Sequence, residues 1–241
     1  MSSNYTYDGS WEGLLSAVFR AYREPDAAIH NPRDGVTMFA AVPVETSPEQ
    51  AERLTRGMER LSPAMPMFVY RAFCAEYDGF ETDLLESLRL GFKQNADPFW
   101  QRQLPYVRRV AEAETKTGRE AHRFLGLVRF VNAGGNLYAG DIAPDCNILS
   151  LIGDHFYDRF NDQRIILRDT KRRTALISEP PNGWWITDLP DLPPLPENDA
   201  FTEMWKGYTV ALANPERKNL KLQQNFVPLK HRKNMPEFRG P

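Results

Sequence analysis

The chain has 241 residues, 41% of them apolar and 12% aromatic, enough to build a core and to exclude wholesale disorder. Its 30 Lys and Arg stand against 32 Asp and Glu, a net charge of −2, so no global basic field marks it for nucleic acid. Its two cysteines, Cys74 and Cys146, lie far apart without CxxC spacing, which excludes a disulfide framework, a four-ligand zinc site and a Cys-ligated iron–sulfur cluster.

Trp11, Leu14, Leu15, Val18, Phe19 and Tyr22 share one helical face, with Ser10 as N-cap and Pro25 as stop. Residues 36–44 predict a short strand. Ser47-Pro48-Glu49-Gln50 opens the next helix with an N-cap, a proline at the first position and a capping-box glutamine; that helix ends before Pro63. Further helices are predicted over Met67–Tyr77, Glu81–Lys93 and Pro105–Lys116.

After Gly118 the period changes. His122, Phe124, Gly126, Val128 and Phe130 alternate with their neighbours, which predicts a strand, and Ala133-Gly134-Gly135-Asn136 a hairpin turn into a strand over Leu137–Ile142. Pro144-Asp145 restarts a helix whose stripe is Ile148, Leu149, Ile152, Phe156 and Phe160. Strands follow at Arg164–Arg168, Arg173–Ser178 and Trp184–Thr187, and one of Trp184 and Trp185 is expected in the core. Phe201, Trp205, Tyr208 and Leu212 mark a last helix.

The expected fold is α+β: a helical N-terminal half followed by a small, mostly antiparallel sheet with a crossing helix and a C-terminal helix. Within one compact domain, residues 1–116 form the helix-rich half with one short strand and 117–188 the β-rich unit. Residues 189–199 form a Pro-rich linker and 200–241 the C-terminal helix and basic tail. The polar, acidic start and the lack of an 18-residue apolar run predict a cytoplasmic protein without membrane contact.

Phosphate-loop, dinucleotide-binding, HExxH, GxSxG and zinc-deaminase patterns are missing, and the four histidines share no metal-ligand spacing, so neither metal nor cofactor is expected. The charge is uneven. From Pro215 onward seven cations stand against two glutamates, a net +5 that leaves −7 for the rest. Cationic side chains near turns can hold phosphates, so Arg119, Arg123, Lys171, Arg172, Arg173, Arg217, Lys218, Lys221, Lys230 and Arg232 are the nucleic-acid-binding candidates. Leu220, Leu222, Phe226, Val227 and Met235 would anchor the tail while its cations face a polyanion. For an enzyme, His122, His155, Asp169 and Lys171 are the acid–base candidates. Against these stand plainer readings: His122 pins a helix–strand joint, His155 is a satisfied core histidine, and Asp169–Arg173 is a solvated hairpin tip.

An ordered series of residues carries a resemblance. It runs from Tyr7-Asp8-Gly9-Ser10-Trp11-Glu12-Gly13-Leu14-Leu15 through Gly118-Arg119-Glu120-Ala121-His122-Arg123-Phe124 and Arg129-Phe130. Tyr138 to Asp145, His155-Phe156, Arg159-Phe160 and Asp169-Thr170-Lys171-Arg172 continue it, and Glu216-Arg217-Lys218-Asn219, Leu222-Gln223 and Met235-Pro236-Glu237 close it. The chain resembles a bacterial domain-of-unknown-function family labelled "probable DNA metabolism protein". The resemblance implies association with a radical-SAM protein of DNA modification or repair, and some family members are fused to a uracil-DNA glycosylase-like domain. It implies a process rather than a reaction. One departure is the tail, where Lys230-His231-Arg232-Lys233-Asn234 replaces an aromatic-rich ending. Three functions are therefore expected in competition: an accessory DNA-binding protein, an enzyme acting on a nucleobase or nucleotide, and a protein-binding adaptor without DNA contact.

Overall fold

The computed structural model describes residues 3–32, 40–189, 191, 194–196 and 200–238. The chain divides into two compact units, Met1–Gly118 and Arg119–Pro241. The predicted mixture of a helical first half and a later, mostly antiparallel sheet is present.

In the first unit, α1 (Trp11–Ala21) begins where Ser10 Oγ accepts the Gly13 N–H at 2.9 Å, which satisfies one of the donors a helix start leaves open. In α2 (Pro48–Leu61) the Ser47 hydroxyl caps the Gln50 N–H as expected. The Ser47 N–H, however, donates to Ser16 Oγ at 3.0 Å, so the reciprocal half of the capping box is replaced by a tie to α1. Next come α3 (Met65–Phe73) and α4 (Phe80–Gln94). Leu14, Leu15, Val18, Met58, Leu84 and Leu88 form the core they share.

Where a single strand was expected, the described residues hold three. β1 (Asn4–Thr6) lies between β2 (Ala28–His30) and β3 (Val42–Pro43), all parallel. Two or three residues are too few to display a period, which is why β1 and β2 left no trace in the sequence. Residues 36–39 of the predicted strand lie outside the described residues.

A larger correction concerns α5 (Pro105–Leu127), which runs straight through the predicted helix end at Lys116 and the predicted strand from His122. Val107, Val110, Ala111, Thr117, Ala121 and Phe124 are all buried and keep helical spacing across Gly118. The alternation from His122 to Phe130 was a coincidence of a helix end followed by an extended segment.

In the second unit the strands are β4 (Val131–Gly134), β5 (Leu137–Ile142), β6 (Arg164–Asp169), β7 (Thr174–Ser178) and β8 (Trp184–Asp188), ordered as they occur in the chain. Among the described strands of this unit only β5 and β6 pair in parallel, so their connection has to cross over, and α6 (Leu149–Arg159) makes that crossing. Ile142, Ile165, Leu167 and Leu176 point to one face of the sheet and Ile152 and Phe156 of α6 are buried with them. Gly153 is the close approach. A Cβ there would lie 2.6 Å from the Trp184 ring, whose Nε1–H donates to Asp154 Oδ1 at 2.8 Å. Trp184 is thus the packed tryptophan and Trp185 the exposed one.

Residues 190, 192, 193 and 197–199 of the predicted linker lie outside the described residues, as does Arg239 of the tail. Beyond it α7 (Ala200–Leu212) and α8 (Leu220–Phe226) follow, and short 3-10 turns at Leu229–Asn234 and Pro236–Phe238 close the chain.

Candidate functional site

The predicted binding and catalytic residues do not converge on one pocket; several of them meet at Asp145, in the loop between β5 and α6. Glu120, nearly buried on α5, holds this loop: its carboxylate accepts the Asp145 N–H at 3.0 Å and the Cys146 N–H at 2.7 Å. A carboxylate that accepts from two successive amide donors fixes the backbone around it.

Asp169, fully buried at the end of β6, organises the basic turn. Its Oδ1 accepts the backbone N–H groups of Lys171 at 2.9 Å and Arg172 at 3.2 Å, and its Oδ2 takes Arg172 Nη1 at 2.8 Å. The Arg172 guanidinium continues to the Pro144 carbonyl at 3.3 Å and the Asp145 carbonyl at 2.7 Å. Lys171 Nζ donates to the same Asp145 carbonyl at 3.3 Å, and Lys230 of the tail pairs with the Asp145 carboxylate. The turn and the tail therefore meet on one loop, and Lys171, Arg172 and Lys230 are engaged in holding it.

Next to Lys230, His231 is buried, its ring edge-on to Phe124 with centroids 4.9 Å apart. Burial pushes its imidazole below the ordinary 6.5, and the adjacent Lys230 charge pushes the same way. Nothing among the described residues hydrogen-bonds its Nε2. Farther along, Arg129 donates to Glu237 Oε1 from Nε at 3.0 Å and from Nη2 at 2.7 Å, and Met235 is buried. These contacts fix the last part of the tail.

Of the other predicted residues, Arg119 and His122 are exposed on α5, and Arg123 is half-buried near enough to His231 to oppose its protonation. His155 sits on α6 with its ring 5.1 Å from that of Phe156, and its Nε2 is buried without a partner among the described residues. No hydrogen bond or ion pair among the described residues joins His122 or His155 to the Asp169–Lys171 turn. Arg232 lies over the Phe238 ring at 4.3 Å and donates from Nε to the Val227 carbonyl at 3.1 Å. Arg173, with a left-handed φ of 55°, is exposed.

Arg217, Lys218 and Lys221 stand in the open, and no ion pair engages them among the described residues. The expected anchors around them are only partly anchors. Met235 is buried, but Leu220, Leu222 and Phe226 are exposed, joined by Phe201, Met204, Tyr208 and Leu212 of α7.

Asp141 and Arg168 form a second charged pair, with Arg168 Nε 2.6 Å and Nη2 2.9 Å from the Asp141 carboxylate. It borders a cavity of about 330 Å3 together with Arg129, Thr170, Leu195 and Asn234. No group of three or more His, Cys, Asp or Glu side chains suited to a metal ion occurs among the described residues.

Glu120, Asp145 and His231 were not anticipated. Glu120 had a legible signal in its place on the buried helical period, three residues after Thr117 and four before Phe124. Asp145 and His231 had none, because their partners are 25 and 107 residues away from them in Glu120 and Phe124.

Residues 78–237 match the family described as a domain of unknown function, DUF4130, and the chain belongs to it. All of the Asp145 cluster lies inside the matched segment. No curated protein and no solved structure matches the chain. Among the described residues no helix is long and apolar enough to cross a membrane.

Proposed function

We propose that this DUF4130 member is an accessory nucleic-acid-binding protein of DNA repair or base modification, working beside a separate enzyme. The enzyme to which the resemblance points is a radical-SAM protein. The observation that carries the reading is the exposed trio Arg217, Lys218 and Lys221 around α8, which no ion pair engages among the described residues, interleaved with exposed Leu220, Leu222 and Phe226. Free cations release counterions on meeting phosphates, whereas Lys171, Arg172 and Lys230 would first have to leave Asp145. Fluorescence anisotropy with labelled single- and double-stranded DNA tests this at about 50 mM salt. The triple variant R217E/K218E/K221E should abolish binding of the duplex, and K171A should leave most of it. Salt-independent binding, or none by the wild-type chain, would sink the proposal.

A protein-binding adaptor is the second reading, favoured by the exposed apolar side chains of α7. Recovery of the radical-SAM protein by the wild-type chain but not by F201S/Y208S, with no DNA binding at all, would decide for it. The acid–base reading has less support, since such chemistry needs titratable groups within hydrogen-bond reach, and no hydrogen bond or ion pair among the described residues joins the two histidines to the Asp169–Lys171 turn.

A further inference from the structure

A second cationic surface lies in the first unit and owes nothing to the tail. Along α2, Gln50, Arg53, Gly57 and Arg60 follow one another at three- and four-residue steps and so share a face. That face does not meet solvent alone. With Phe19, Arg20, Tyr22 and Arg23 from the end of α1 and Phe92 from α4, it borders a cavity of about 540 Å3, within the usual ~300–1,000 Å3 of small-molecule sites.

The lining has two parts. Its floor is aromatic: Phe19, Tyr22 and Phe92 are half-buried, and the Tyr22 and Phe92 rings meet edge-to-face with centroids 5.7 Å apart. Gly57 makes room for this floor, since a Cβ there would stand 3.1 Å from the Phe92 ring. The rim is cationic. Arg20, Arg23, Arg53 and Arg60 are all exposed, and no ion pair engages them among the described residues. Arg53 rests over the Phe19 ring at 5.4 Å. Among the described residues no carboxylate lines the cavity. Glu24, within the field of Arg20, already accepts the Tyr5 hydroxyl at 2.6 Å.

Four guanidiniums that no ion pair engages among the described residues, set around an aromatic floor, are complementary to a ligand that is planar at one end and polyanionic at the other. We infer that this groove binds a nucleotide, the base stacked on the Phe19–Tyr22–Phe92 floor and the phosphate held by Arg53, Arg60 and the α1 arginines. Guanidinium forks match phosphate oxygens in pairs, and aromatic rings accept any base face. A simple acidic peptide would use the rim and leave the floor bare. Duplex DNA, with its bases stacked inside, could not reach the floor either. The nucleotide is either free or one unit of a single strand, and both present the same base-plus-phosphate chemistry.

The test uses the full chain with two probes at about 50 mM salt: adenosine monophosphate by calorimetry and a labelled single strand of about twelve thymidines by anisotropy. Saturable binding of at least one probe is expected. R53Q/R60Q should weaken it at least tenfold, Y22L should weaken it several-fold by removing one ring, and R56Q should leave it unchanged. Arg56 lies on the same helix but pairs with Glu52, outside the groove, so it controls for charge and folding alike. Binding of the monophosphate assigns a free nucleotide, and binding of the strand alone assigns a single strand. The inference is overturned if neither probe saturates, if R53Q/R60Q binds as the wild type does, or if a poly-glutamate peptide competes as well as the nucleotide. Strand binding lost only through R217E/K218E/K221E would credit the tail and overturn the groove.

Discussion

Single residues carry much of the second unit's order, and two of them make sharp tests. His231 is buried neutral against Phe124, and its proton affinity is held below the ordinary value first by burial and then by Lys230, with Arg123 acting the same way and Glu120 and Asp145 opposing. The unfolded chain therefore takes up the proton more readily than the folded one. Stability from His231 is complete above its unfolded pKa of about 6.5 and is lost as pH falls through the lower folded value. Melting at about pH 5.5 and 7.5 should show this loss in the wild type, and H231F, which keeps a ring beside Phe124, should flatten it. Gly153 is the other case. An alanine there would gain up to about 1 kcal/mol of helix propensity, but its Cβ would sit 2.6 Å from the Trp184 ring. Overpacking of that kind costs about 1–3 kcal/mol, so G153A should lower stability and shift Trp fluorescence. An unchanged emission maximum would show that the ring had not been displaced.

Among the elements, α5 is the one whose length matters most. Had it ended at Lys116, Glu120 would not stand opposite the loop after β5, and the Asp145 and Cys146 amides would lose their acceptor. A buried amide left without a partner costs about 1–3 kcal/mol. E120Q keeps the shape but offers one acceptor oxygen where two were used. It should destabilise by an amount in that range in urea unfolding and speed amide exchange at Cys146; unchanged exchange there would mean that the loop does not depend on Glu120. The sheet shows the same dependence on neighbours. β5, β6, β7 and β8 were readable because four to six residues alternating or running apolar between turn residues are a strong signal. The strand placed at His122–Val131 failed because a helix end and an extended exit can imitate period 2 over a few residues.

On the scale of the whole chain, a net charge of −2 means that any contact with nucleic acid is local and few in number. If Arg217, Lys218 and Lys221 are the main phosphate contacts, log K against log salt should fall with a shallow slope of about −2 to −3. A slope near −8 would require the turn and groove cations as well. The amino-acid sequence by itself determined the composition class, most of the helices with the Ser10 and Ser47 caps, the later strands and the location of positive charge. These are set by interactions within a few residues, so they leave local patterns. Only the tertiary structure decided which charges are available. Lys171, Arg172 and Lys230 read as a basic patch until Asp145 and Asp169 are seen beside them. Conversely, Arg20, Arg23, Arg53 and Arg60 drew no notice, because nothing in the sequence tells that α1, α2 and α4 gather them around one aromatic floor. Charge is a property of the residue; whether it is neutralised depends on neighbours far away in the chain.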